Sequence, residues 1–68
     1  MRIALNGVDR ELPAGATVAD AAALAGVRAG ERGVAVALNG EVVPAERWEA
    51  TAIAEGARLE VVRAAAGG

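Results

Sequence analysis

The side chains that most often carry enzyme chemistry are missing from this sequence. It has no cysteine and no histidine, so it offers neither the common nucleophile and base pairs nor a thiolate or imidazole metal site. What remains are nine carboxylates dispersed among seven bases, all of them arginine, and a chain end made of Gly67 and Gly68 behind three alanines. Asp9, Glu11, Glu41, Glu46, Glu49 and Glu55 read as solvated surface. An autonomous hydrolase or metalloenzyme is therefore not expected. The feature that stands apart is the chain end at Gly67 and Gly68. A chain end can enter another protein's buried site only if it reaches that site. Five extended residues, 64–68, span at most about 17 Å. Glycine has no side chain to catch in a narrow channel, and Ala65 and Ala66 ahead of Gly67 are nearly as slim. A glycine pair alone is a weak signal, because termini often carry small residues without consequence. Its weight comes from standing last, just past a final strand.

A body must carry that end, and composition bounds it. Sixty-eight residues make one domain near the lower size limit for a core without disulfides or metals. The 54% hydrophobic content includes 19 alanines; the larger apolar side chains are nine Val, five Leu, two Ile, Met1 and Trp48. They suffice for one thin layer packing. A formal charge of -2 and an isoelectric point near 4.9 argue against a nucleic-acid partner. No apolar run approaches a membrane span, and the N-terminus alternates like a strand and does not resemble a signal peptide. The expectation is a cytoplasmic monomer with no membrane partner.

Two hairpins frame the chain. Met1, Ile3 and Leu5 share one face of a period-two segment, and Asn6 with Gly7 forms the strongest short turn signal before a returning strand at 8–12. In that strand Arg10 shares a face with Val8 and Leu12, which an edge position tolerates. Thr17 reads as a helix N-cap with Asp20 at the third helical position, followed by an apolar stripe of Val18, Ala21, Leu24 and Ala25 that closes near Gly26. Val34, Val36 and Leu38 alternate with Ala35 and Ala37 in the clearest strand, and Asn39 with Gly40 turns it into a short strand that Pro44 stops. Residues 45–54 read as irregular or a short helical turn, with Trp48 and Ile53 sealing one end of the core. Glu55 and Gly56 turn the chain into a last strand at 58–63. Hairpin, helix, hairpin and final strand make an α+β layer pair, and a last strand returning beside the first gives a β-grasp.

The stretch 34–44 with Arg47 and Trp48, the Glu55 and Gly56 turn, Leu59 to Val62 and the terminal Gly67 and Gly68 together resemble the ThiS family of thiamine-pathway sulfur carriers. The Asn6 and Gly7 turn and the helix start at Thr17 match as well, so the resemblance covers essentially the whole chain. Two positions depart from it. Ala45 and Ala57 stand where a basic and an acidic residue are common, and both changes are expected to alter a partner surface. The resemblance implies a ubiquitin-like β-grasp with a mixed four- to five-stranded sheet on one main helix. It implies a globular part over residues 1–63 and a flexible C-terminal tail over 64–68. It also implies that the chain is a protein co-substrate and not an enzyme. An adenylyltransferase of the ubiquitin-activating type would adenylate Gly68, using ATP and magnesium that belong to that partner. A sulfur donor protein would convert the acyl adenylate to a thiocarboxylate, and thiazole synthase would consume it. The chain itself is expected to bind no cofactor.

For docking, the candidates are Val62, which points outward by alternation, and its neighbours Arg58, Glu60 and Arg63. Trp48 reads as a lid on the core and not as an anchor. Two other functions stay open at this point. One is the small subunit of molybdopterin synthase, or a carrier for another thioacid pathway. The other is a β-grasp interaction module whose glycine pair is incidental.

Overall fold

The computed structural model describes residues 1–64. Strands β1 (Arg2–Leu5) and β2 (Val8–Glu11) form the first hairpin, α1 (Val18–Leu24) follows, and β3 (Val34–Leu38) and β4 (Glu41–Val43) form the second hairpin. A short 3-10 turn at Ala45–Arg47 precedes the last strand, β5 (Arg58–Arg63). The strands lie in the order β2-β1-β5-β3-β4. β5 runs parallel to β1 and antiparallel to β3, so the sheet is mixed and β5 alone stands between the hairpins. This is the β-grasp, with five strands on one helix. β2 is an edge strand, which explains how Arg10 can sit half-buried on the face that also carries Leu12.

Each hairpin turns where asparagine meets glycine. Asn6 and Gly7 have φ of 51° and 82°, and Asn39 and Gly40 have 51° and 89°. A type I′ turn needs both central residues in this left-handed region, which asparagine tolerates and glycine adopts without cost. Both asparagines also serve β5. The chain leaves β1 after Leu5, and the Asn6 side-chain oxygen then accepts from the amide of Val61 at 2.8 Å, adding one rung where β1 has ended. On the other flank, Asn39 donates its amide to the Arg58 carbonyl at 2.8 Å, and its side-chain oxygen accepts from the Arg58 amide at 2.9 Å.

The helix is short, seven residues, and its ends are closed by specific contacts. At the N-terminus Thr17 and Asp20 form a reciprocal capping box, with the Thr17 hydroxyl accepting from the Asp20 amide and the Asp20 carboxylate from the Thr17 amide. The amides of Val18 and Ala19 have no partner inside a helix. They donate instead to the carbonyls of Thr51 and Trp48, at 2.9 and 3.0 Å. The irregular segment after β4 thus completes the helix as well as covering the core. At the C-terminus Gly26, at φ 80°, donates to Ala23, and Val27 donates back to Ala22, the paired bonds of a Schellman motif. Because the helix stops there, Val18, Ala21 and Ala22 are its buried residues, while Leu24 and Ala25 are only half-buried at the core's margin.

The core gathers Ile3, Leu5, Val36 and Leu59 from the sheet against the helix, with Leu12, Val27, Trp48 and Ile53 closing the sides. Trp48 is 1% exposed, and its indole Nε1 donates to the Val43 carbonyl at 2.8 Å, so the ring both fills the core and ties down β4. Ala57 is buried, so the small residue there fills the core and lies off any partner surface; Ala45 is exposed. Among the described residues, no helix is long and apolar enough to cross a membrane.

Candidate functional site

β5 leads directly to the glycine end, and its alternation sorts the candidate residues. Leu59 is buried and Val61 half-buried on the helix side, while Arg58, Glu60 and Val62 are exposed on the opposite face of the sheet. Arg63 belongs with Leu59 and Val61 by parity. It therefore does not join the other three. Its guanidinium instead turns to the loop after the helix, donating to the Glu31 carboxylate and, at 2.9 Å, to the Gly26 carbonyl.

The outer face divides into two halves. On the side of the first hairpin it carries Arg2, Asp9 and Glu11, all exposed, with the Arg2 and Glu11 charges 3.8 Å apart. On the side of the second hairpin, Ala35 lies opposite Val62, and Ala37 lies opposite Glu60 on one flank and Val42 on the other. Val42 and Val62 are 71% and 61% exposed. Scattered apolar side chains at a surface are ordinary, but here Val62, Ala35, Ala37 and Val42 adjoin one another across three strands, next to the start of the chain end. Val62 was legible from alternation. Val42 and the two alanines join it through strand pairing: with Val36 and Val43 paired inward, Val42 has to face out.

The strand continues by one bond, with the Ala64 amide donating to the Gly33 carbonyl at 2.6 Å. Ala65, Ala66, Gly67 and Gly68, the residues expected to give clearance and to react, lie outside the described residues. Asp9, Glu11, Glu41, Glu46, Glu49 and Glu55 are all exposed. Among the described residues, no three His, Cys, Asp or Glu side chains gather into a group able to hold a metal ion. The Glu31 carboxyl is held below the ordinary glutamate value by the Arg28 backbone amide and, second, by the Arg63 side chain.

The sequence matches the ThiS family over residues 3–68. A search of curated proteins gave no match. Among solved structures, the fold is similar to the crystal structure of a thiamine biosynthesis protein (ThiS) from Geobacter metallireducens, with a TM-score of 0.77 and 28% identity over 100% of both chains. It is likewise similar to an NMR solution structure of a thiamine biosynthesis protein from the same organism, with a TM-score of 0.76 and 28% identity, covering 100% of this chain and 88% of that one.

Proposed function

The chain belongs to the ThiS family, and from that premise we propose that it is a sulfur carrier whose Gly68 carboxylate is adenylated and then converted to a thiocarboxylate for thiazole formation. The observation that carries this reading is the extent of the family match, which runs through the slim end to Gly68 itself. The likeness to thiamine biosynthesis proteins supports the thiamine pathway over molybdopterin synthesis.

The proposed chemistry divides between this chain and its partners. In the site of an adenylyltransferase that holds ATP and magnesium, a Gly68 carboxylate oxygen attacks the α-phosphorus, and pyrophosphate leaves. The outer sulfur of a donor protein's persulfide then attacks the acyl carbon, and AMP leaves. A thiol next attacks the donor's inner sulfur, which breaks the sulfur–sulfur bond, frees the thiocarboxylate and leaves the donor sulfur in a disulfide. The acyl carbon thereby exchanges one oxygen for sulfur, which thiazole synthase withdraws. This chain contributes reach, clearance and a grip. Gly67, Ala66 and Ala65 keep the approach narrow, and the apolar half of the outer face, centred on Val62 and Val42 with Glu60 and Arg58 beside it, is the grip.

Intact mass tests the reading. Wild-type chain incubated with a cognate adenylyltransferase, ATP and a sulfur donor should gain the mass difference of one sulfur for one oxygen, located at Gly68. A chain lacking Gly68 should gain nothing. The same gain in both would place the chemistry elsewhere.

A further inference from the structure

We infer that Arg63 and Glu31 are positioning residues: with Gly26 and Gly33 they form a clasp that fixes where and in which direction the C-terminal segment leaves the body. The inference rests on the carrier reading and deepens it.

The need for a clasp follows from the topology. Up to Val61, β5 is bonded on both flanks, and the last contact on the β1 side is the Asn6 side chain. Beyond it, Val62 and Arg63 pair with β3 alone, opposite Ala35 and Val34. A strand end with one neighbour frays readily. Here the loop between α1 and β3 comes alongside and binds it at both of the loop's ends. Near the helix, Gly26 offers its carbonyl to the Arg63 guanidinium; near β3, Gly33 offers its carbonyl to the Ala64 amide.

The Glu31 carboxylate is itself held in place. One of its oxygens accepts from the Arg28 backbone amide at 3.0 Å, the Glu31 amide donates back to the Arg28 carbonyl at 3.1 Å, and the other oxygen takes Arg63. An isolated exposed ion pair contributes little because two free side chains must be ordered to form it. Glu31 is already ordered by the turn, and the planar guanidinium of Arg63 meets two acceptors that the loop presents together. A cation is also well placed at the carbonyl end of the helix.

With the clasp closed, Ala64 is held against Gly33, and four further residues can span at most about 14 Å. With the clasp open, the fixed point retreats toward Val61, and more backbone must be ordered when the end enters a partner's channel. The cost falls on productive binding and not on the reaction of a chain already seated.

The test compares Arg63→Ala and Glu31→Gln with wild type in two measurements. One is exchange of the Ala64 amide hydrogen; the other is steady-state adenylation with carrier concentration varied. Both variants should speed Ala64 exchange and raise the KM for the carrier, about tenfold for Arg63→Ala and less for Glu31→Gln, with kcat within about twofold. Arg63→Lys, which keeps the charge and loses the fork, should fall between wild type and Arg63→Ala. Glu31→Gln is the decisive variant, because it opens the clasp while leaving Arg63 in place to touch a partner. A raised KM for Arg63→Ala with a wild-type KM for Glu31→Gln would assign Arg63 to direct contact and overturn the clasp. Unchanged Ala64 exchange in both variants would also overturn it. If wild type is not adenylated at all, the carrier reading fails, and the inference with it.

Discussion

The two hairpins share a construction. Each turns on an asparagine at φ 51° followed by a glycine, and each asparagine directs its side-chain oxygen to an amide of β5. Their outer faces differ. The first presents Arg2, Asp9 and Glu11, and the second presents Ala35, Ala37 and Val42 beside Val62 of β5. The sheet needs nothing from outward side chains on this face, because the helix covers the other one. The charged half is what solvent alone would favour. The apolar half has no such reason, and in the proposed function it is the grip. Turn chemistry sets the fold in both hairpins, and outer-face composition is what separates them.

The hairpins also differ in how their edge strands are secured, and this gives the largest predicted effect. β4 is tied to the core through the Trp48 indole, whereas the end of β2 is tied by backbone bonds between Met1 and Leu12. Trp48→Ala should cost about 3–5 kcal/mol, close to the entire stability of a domain this small. Trp48→Phe should retain much of the packing and lose about 1 kcal/mol with the indole bond. Hydrogen exchange of Trp48→Phe should show the loss in β4 before β2. An equal loss in both hairpins would erase the distinction.

Docking gives the next largest effect. Val42→Asp and Val62→Asp should each weaken adenylyltransferase binding by about 2 kcal/mol, read by calorimetry, with the fold retained. Glu11→Gln on the charged half should change binding by less than about 0.5 kcal/mol. Equal effects on both halves would reject the division. Smaller still is the turn effect, where the hairpins should agree. Asn6→Gly and Asn39→Gly keep the left-handed turn and remove the side-chain bond to β5, and each should cost about 1 kcal/mol in urea unfolding.

The smallest effect is that of pH on the clasp. The Glu31 pKa lies below its ordinary value because the ionised form accepts from the Arg28 backbone amide and, second, from the Arg63 side chain. A lowered folded pKa means the contribution is complete above the ordinary glutamate value and is lost as pH falls through the lowered one. The Ala64 amide resonance should therefore titrate with a midpoint below the ordinary glutamate range, and should not do so in Glu31→Gln. A midpoint at or above that range would contradict the geometry around Glu31.

Local chemistry was readable from the residues alone, and long-range chemistry was not. Asn6 with Gly7, Asn39 with Gly40, and Thr17 with Asp20 announce their turns and cap because each motif closes within four residues. The second role of each asparagine depends on β5 arriving from elsewhere in the chain, which no local pattern encodes. Similarly, the amides of Val18 and Ala19 find carbonyls at Thr51 and Trp48, contributed by a segment that reads only as irregular. Alternation placed Val62 outward, and the same alternation puts Arg63 on the other face. Its partner Glu31 stands 32 positions earlier, in a loop whose path is set by the Schellman turn and by Gly33. The ThiS resemblance was legible over the whole chain, and the family match bears it out.

The central claim is that Gly68 is the reacting end. Top-down mass spectrometry after incubation with the adenylyltransferase, ATP and the sulfur donor measures it directly. One oxygen should be replaced by one sulfur in the last fragment, with every fragment lacking Gly68 unchanged. A chain that stays unmodified beside an active control carrier, or that carries sulfur anywhere else, would contradict the account.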